Sequence, residues 1–462
     1  LPKCRAITYL NSEKVDDLTT LSEQAHHVIQ QASQDGAVHI DLQFTDVTGM
    51  VKAVQIPVRQ LELAFAQGIW FDGSALEGFA RVAESDMYLR PDPTTYTLLP
   101  WEQSGKRIAR LICDVYTPDG APFVGDPRSV LRRALAISEQ MNFRYVVAPE
   151  LEFFLFKEPA DPGNLQTVDR FGYFDVSDTA SRQVRRDIAD ALEAMGIAVD
   201  SAHHEVGGGQ HELDFAPLDA LRSADAVMTA RFAAKSIAAA NQMYATFMPK
   251  PLARVPGSGM HIHQVMIDTF TNSNAFADAE NGYHLSSTGR SFIAGQLMHA
   301  RAMCAVLAPL VNSYKRLISG LEAPVYIIWA QLNRAALLRV PRTRADQPDQ
   351  VRVELRCVDP SCNPYLAFAV MLRAGLDGIS QAMELPNAAE EDLISFDHRR
   401  RNLPTLPRSL GEALDALEGS TLMNEVLGLN VFERFTSAKK IEWNEYVLSV
   451  SPWELERYLK IY

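Results

Sequence analysis

Arg352-Val-Glu354-Leu-Arg356 sets one carboxylate between two guanidiniums at alternate positions, and alternate side chains of a strand share a face. A solvated edge strand laced by salt bridges explains such a face. A metal ion bridging phosphate oxygens, with the arginines clamping the anion, explains it equally. Upstream clusters shift the balance. Glu150-Leu-Glu152 puts two like charges on one strand face ahead of Phe153-Phe-Leu-Phe156, which is costly unless a cation lies beside them. His203-His-Glu205 and Gln210-His-Glu212 flank Gly207-Gly-Gly209, a turn able to bring Glu205 and Glu212 to one point. His261-Ile-His263 follows the glycine-rich Pro256-Gly-Ser-Gly, and Glu322, Arg334 and Arg339 lie in a largely apolar stretch beyond it.

Taken singly, each cluster has an ordinary explanation: a strand mouth facing water, a satisfied histidine pair, a plain turn. Together they supply Glu150, Glu152, Glu205, Glu212, Glu354 and a histidine. Hard oxygens without thiolates favour Mg²⁺ or Mn²⁺ over Zn²⁺. Five carboxylates exceed what one divalent ion balances, so two or more ions are expected. Arginines beside paired divalent ions suit phosphoryl transfer, where phosphate is clamped and developing charge neutralised. No Walker-type Gly-x-x-x-x-Gly-Lys occurs, which excludes a P-loop.

The rest of the chain must position these groups. Its 462 residues suffice for two domains with a large core. A net charge of −13 argues against nucleic acid as a partner, so arginines within this acidic chain suggest a focused site for a small anion. Cysteines at 4, 113, 304, 357 and 362 show no zinc spacing, and the expected setting is the reducing cytoplasm. No apolar run approaches a membrane span, and the first residues lack the apolar stretch of a secretory leader. Residues 12–34 read as an amphipathic helix, with a β-hairpin at 38–44 and 51–56. Thr117-Pro-Asp-Gly-Ala-Pro122 marks a boundary, giving domains over 1–120 and 121–462. Asp126-Pro127 then opens a helix as N-cap and N1. Beyond it, strands 145–156, 198–215, 245–250, 258–265 and 325–330 are interspersed with helices at 179–195, 222–242, 290–311 and 363–383. The last 60 residues read as helical. An antiparallel sheet backed by helices, α+β rather than doubly wound, accommodates the carboxylate-bearing strands.

The chain also resembles the type I glutamine synthetases from about residue 38 onward. The resemblance rests on Phe44-Thr-Asp46-Val-Thr-Gly49, Phe71-Asp-Gly-Ser74, Glu84-Ser-Asp-Met87, Glu150-Leu-Glu152-Phe-Phe, His203-His-Glu205-Val and Gly209-Gln-His-Glu212. It continues through Thr246-Phe-Met-Pro-Lys250-Pro, Gly257-Ser-Gly-Met-His261-Ile-His263, Asn312-Ser-Tyr-Lys-Arg316-Leu, Glu322-Ala-Pro, Asn333-Arg334, Arg339-Val-Pro and Asn363-Pro-Tyr-Leu. It implies a β-grasp domain packed on a catalytic domain with a curved antiparallel sheet, and active sites between subunits of a double hexameric ring. By position, Glu152, Glu205 and Glu212 match the ligands of one metal, and Glu150, His261 and Glu354 those of a second, nucleotide-side metal. Arg316, Arg356 and Gly257 match substrate-site positions, with the two arginines holding glutamate. Arg334, Arg339 and Arg352 match phosphate contacts, while His263 and Tyr173 fall on nucleotide- or substrate-site positions. Asp46 matches the residue that binds ammonium and removes its proton in a neighbouring subunit's site. Glu322 matches the flap glutamate that shields the intermediate.

The implied reaction has two steps: ATP phosphorylates the γ-carboxylate of glutamate, and an amine displaces phosphate from γ-glutamyl phosphate. Three departures bear on it. Pro256 stands where asparagine usually helps hold glutamate, Val265 where serine contacts nucleotide, and Ala335 where serine follows the arginine. Retained Asp46 and Glu322 favour ammonia as the amine. A ligase for methylamine, ethanolamine, a polyamine or an aniline, and a silent assembly of the same fold, are the alternatives. Glu391-Asp-Leu-Ile-Ser-Phe396 lacks the tyrosine that some members adenylylate, and Gly78-Phe-Ala-Arg81 resembles the feedback-inhibited subtype.

Overall fold

A computed structural model describes residues 21–462 except 76–85, 102–104, 160, 162, 177–178, 319–322, 345 and 391–402. The N-terminal part runs α1 (Glu23–Gln34), β1 (Ala37–Thr45), β2 (Val51–Pro57), α2 (Leu61–Gln67), β3 (Ile69–Asp72), β4 (Asp86–Pro91), β5 (Thr97–Leu98) and β6 (Arg107–Tyr116). Ser22 caps α1 by accepting from the Ala25 amide, which satisfies a donor that a helix start leaves orphaned. The strands form a six-stranded sheet in the order β2-β1-β6-β4-β3, with β5 on β6. β1 pairs parallel to β6, and every other pair there is antiparallel. The hairpin expected at 38–56 is present, with Asp46-Val-Thr-Gly49 as its turn. Gly49 takes φ +87°, which side chains avoid, and a Cβ there would lie 3.2 Å from the Asn363 Cα.

The second part begins with α3 (Pro127–Gln140), capped by Asp126 with proline at N1. It continues through β7 (Phe143–Lys157), α4 (Ala180–Ala194), β8 (Val199–His204), β9 (Gln210–Phe215), β10 (Leu218–Asp219), α5 (Ala220–Ala240), β11 (Met243–Thr246) and β12 (Met260–Asp268). Then come α6 (Ser287–Leu307), α7 (Ser313–Arg316), β13 (Tyr326–Ala330), β14 (Ala336–Arg339), β15 (Val353–Leu355) and α8 (Pro364–Ser380). Among the described residues beyond α8, helices span 410–418, 421–448, kinked at Gly428, and 452–458. The nine-stranded sheet has the order β13-β14-β15-β12-β7-β9-β8, with β10 and β11 on β7. It is antiparallel apart from β13 against β14, which run parallel.

Period-two alternation decides which residues meet the core. In β7, Tyr145, Val147, Leu151, Phe153 and Leu155 are buried against the helices, joined by Met260 and Ile262 of β12 and Leu213 of β9. Glu150 and Glu152 consequently point to the opposite face.

Two polar joints fix one sheet against the other. The buried Arg128 guanidinium donates to Asp92 (2.8 Å) and Asp114 (2.7 Å) of the first part and to Asp225 (2.9 and 3.1 Å) of the second. Asn363 caps α8 through its Oδ1, while its Nδ2 donates to the Asp46 carbonyl (3.0 Å) and the Val47 carbonyl (3.4 Å). The hairpin turn carrying Asp46 is thereby pinned to the start of a core helix.

Candidate active site

Strand register assembles the charged clusters into one row. Glu152 of β7 pairs with Glu212 of β9, which pairs with His203 of β8. Glu150 pairs with His261 of β12, His263 pairs with Glu354 of β15, and Glu354 pairs with Arg339 of β14. Directly opposed residues project to the same side of a sheet. Segments up to 204 residues apart in sequence (150 against 354) thus share one polar face.

The row divides into two carboxylate groups. Glu150, His261 and Glu354 offer ligand atoms within 4.8 Å of one another, and so do His203, Glu205 and Glu212. His261 Nδ1 lies 3.1 Å and His263 Nε2 2.7 Å from the Glu150 oxygens. Burial raises the Glu150 carboxyl, but these two imidazoles outweigh it and hold it well below the usual carboxylate range. Burial acts likewise on Glu354, and the Arg356 guanidinium and His261 bring it below its ordinary value. Arg356 is in direct contact with Glu354, and Arg339 Nη1 lies 3.2 Å from it. Burial and the neighbouring Arg356 charge lower His261, the direction that favours the neutral imidazole a metal ligand uses.

The other group is electrostatically frustrated. Burial and the charge of Glu205 push Glu152 up to about 8. Burial and Glu152 push Glu212 far above its usual range. Gln210 Nε2 donates to Glu152 over 2.9 Å, which offsets only part of the repulsion. Buried oxygens driven to take up protons suit a hard divalent cation, which would replace those protons. The donor set fits Mg²⁺ or Mn²⁺ at both groups.

The remaining candidates are dispersed around this row. Arg316 is buried and donates to the carbonyls of Arg356 (2.9 Å), Cys357 and Val358 (3.1 Å each). A Cβ on Gly257 would sit 3.1 Å from the Arg316 side chain, so that glycine permits close passage. Arg352 Nε lies 3.2 Å from His263 Nδ1. Of the arginines expected to hold an anion, Arg339 and Arg356 brace Glu354 here and Arg352 braces His263. Arg334 is exposed on a turn and its charge reaches Tyr173. Tyr173 stacks on Phe174 at 4.0 Å and meets His203 edge-on at 5.6 Å. Partial burial, Glu205 and Glu212 raise its phenol. Asp46 is buried within its own turn, accepting from Thr48 Oγ1 (2.8 Å) and the Met50 amide (2.9 Å), with Lys52 at 3.3 Å. Glu322, Arg81 and residues 391–396 lie outside the described residues.

His203 was not among the expected ligands. Its alternation with Glu205, the rule that drew attention to Glu150 and Glu152, was the available signal. Asp214 was also passed over; it pairs with Glu150 across β7 and β9 and joins Glu150 and Glu212 in a further close group.

Comparison with known proteins matches two family models, the glutamine synthetase β-grasp domain over residues 37–118 and the glutamine synthetase catalytic domain over 124–458. The chain is 46% identical over 450 residues to the glutamine synthetase of Halobacterium salinarum, covering 96% of this chain and 98% of that one. It is 47% identical to that of Methanosarcina mazei, covering 94% and 97%. Among solved structures it is similar to a GmaS/ADP complex at 31% identity, TM-score 0.85, covering 94% of this chain and 99% of that chain.

Proposed function

The chain belongs to the glutamine synthetase family, and from that premise we propose how its residues divide the work. It is a ligase that joins ammonia to the γ-carboxylate of glutamate, with ATP and divalent metal ions. A carboxylate resists attack by an amine until one oxygen becomes a leaving group, so phosphorylation to γ-glutamyl phosphate comes first and displacement of phosphate second.

Glu152, Glu205 and Glu212 would hold one ion, with His203 beside them, and Glu150, His261 and Glu354 would hold the other. When bound, Mg²⁺ or Mn²⁺ supplies positive charge that neutralises phosphate oxygens during transfer. Arg316, Arg356 and Gly257 shape the glutamate pocket. Arg334, Arg339 and Arg352 take the phosphates, and His263 and Tyr173 border the nucleotide. On substrate entry Arg339 would leave Glu354 for a phosphate and Arg356 would leave it for the glutamate substrate, and an ion held at Glu354 would supply the compensating charge. Asp46 receives the ammonium and accepts its proton as the amine attacks. Glu322 closes over the acyl phosphate to exclude water.

The site is completed by a neighbouring subunit, in a double hexameric ring within the cytoplasm, and the catalytic domain starts near residue 121. Asp46 supports a shared site, since its carboxylate is turned into its own hairpin, where its hydrogen bonds and ion pair among the described residues go to Thr48, Met50 and Lys52 and not to the glutamate row. Exposed Ile441, Leu448, Val450, Trp453, Leu459 and Ile461 support assembly.

The observation that carries the reading is the common sheet face of His203–Glu212–Glu152, Glu150–His261 and His263–Glu354, three sets of cross-strand partners offset from one another by two residues along β7 and β12. Phosphate release from ATP and glutamate tests it, with ammonium, methylamine, ethanolamine and putrescine in turn at equal free-base concentration. Ammonium should give the highest kcat/KM, and Glu354→Ala should abolish turnover even at saturating Mg²⁺. A bulkier amine outcompeting ammonium would overturn the substrate assignment, and an active Glu354→Ala enzyme the metal assignment.

A further inference from the structure

On the reverse face of the β8–β9 hairpin, Asp169, His204 and His211 form a separate close cluster, with ligand atoms within 4.8 Å of one another. The reaction above uses none of them. The His204 and Asp169 side chains are 1% and 3% exposed. An ion is a poor occupant. His204 Nε2 and Asp169 Oδ1 are 2.9 Å apart, closer than the roughly 3.4 Å between two ligands of one tetrahedral ion with bonds near 2.1 Å. Arg185 Nη1, 2.9 Å from His211 Nδ1, also brings a positive charge to the cluster.

The hydrogen bonds instead describe a tie. Asp169 Oδ1 accepts from His204 Nε2 on one limb of the hairpin and from the Gly209 amide (2.8 Å) on the other. Its Oδ2 accepts from Ser181 Oγ (2.5 Å) in the first turn of α4. His204 Nδ1 donates to the Glu205 carbonyl over 2.7 Å. One buried carboxylate thus joins both limbs and a helix, at the residues next to Glu205 and to Gln210, the partner of Glu152. Gly209 takes φ +70°, and a Cβ there would lie 2.7 Å from the Leu155 carbonyl oxygen. The turn therefore lies directly on β7.

We infer that Asp169 and His204 are positioning residues for the metal site: a buried brace beneath the hairpin that fixes where Glu205 and Glu212 stand. This rests on the reading of Glu205 as a ligand. Partners that orient metal ligands are worth about 10- to 100-fold in metal affinity or activity.

Mn²⁺ binding to the full-length protein without substrates, followed by the spin resonance of free Mn²⁺, tests the inference. Asp169→Ala should weaken one class of Mn²⁺ site about 10- to 100-fold and leave the other unchanged. The Mn²⁺ concentration for half-maximal activity should rise in parallel, with kcat largely regained at saturating metal. A general folding defect would lower kcat at every metal concentration. Asp169→Asn keeps the shape but replaces the charged acceptor facing His204, Gly209 and Ser181 by a neutral amide, about halving the strength of those hydrogen bonds, so it should shift the same site by about 10-fold, and it decides the matter if the alanine variant does not fold. Unchanged Mn²⁺ affinity in folded Asp169→Asn would overturn the brace. Loss of a third bound ion, with two others intact, would overturn it in favour of an ion site. Glu205→Ala separates the two readings: if it loses one ion while the Asp169 variants lose none, only the brace falls, whereas if it binds Mn²⁺ normally the metal assignment itself fails.

Discussion

Glu152 is one of two buried glutamates, with Glu212, at which the metal-free protein is at odds with itself. It is buried, faces Glu205 and Glu212, and has a carboxyl raised to about 8. A carboxyl raised on folding stabilises the fold while protonated, and that stability is lost as pH rises from its unfolded value through the folded one. Between pH 6.5 and 8 the loss from Glu152 amounts to about 1–2 kcal/mol. Histidines held neutral in the fold act the opposite way, but only at lower pH. In metal-free protein, Glu152→Gln should therefore gain more thermal stability over wild type at pH 8 than at pH 6.5. Saturating Mn²⁺ should erase the difference, because the ion satisfies the carboxylate in wild type alone. Melting curves at both pH values, with and without metal, check this, and an equal effect at both pH values counts against the charged cluster. At this scale the sequence was informative wherever the clustered residues alternate along one strand, as at Glu150/Glu152 and His261/His263. It was silent on Asp169, whose partners His204, Gly209 and Ser181 come from separate segments and share no spacing with it.

Elements hold this row of charges in register, and the helices behind the sheet hold the elements. α6 and α8 cross at glycines: a Cβ on Gly295 would lie 2.7 Å from the Gly378 amide nitrogen and 2.8 Å from its Cα. Backbone cannot yield as a side-chain end does, so Gly295→Ala must part the helices. Overpacking of this kind costs about 1–3 kcal/mol. The expected outcome is a lower melting temperature with Mn²⁺ affinity nearly kept, since neither helix bears a ligand. A melting temperature equal to wild type would show that the crossing is looser than drawn. Helices were legible where an N-cap and proline announce them, as at Asp126-Pro127 and Asn363-Pro364. Alternation made β7 legible as well. Which strand lies beside which was not, because pairing between residues 150 and 261 or 263 and 354 depends on non-local packing. Nor was the parallel β13–β14 pair, whose short runs carry no mark of direction.

At the scale of the whole molecule, the proposed role of Asp46 has to be exerted at a row of glutamates whose residues all lie beyond position 149. Its turn is anchored by Asn363, and the two sheets are locked through Arg128 and its three aspartates. An anchored turn cannot swing far, so the proposed site draws Asp46 from one chain and Glu150 from its neighbour. Asp46→Ala subunits should be inactive for want of the base, and Glu150→Ala subunits for want of a ligand. Mixed by co-expression, the two kinds produce four classes of interface. The class that takes its base from a Glu150→Ala chain and its ligands from an Asp46→Ala chain is intact. Random mixing in a closed ring makes that about a quarter of all interfaces, and loss of a positioned base alone is worth about 10²- to 10⁴-fold, so the recovered activity should stand far above both parents. Mass spectrometry of the intact assembly establishes that the chains have mixed. Verified mixing with activity still at the parental level would mean that each chain builds its site alone, and that Asp46 serves only its own turn.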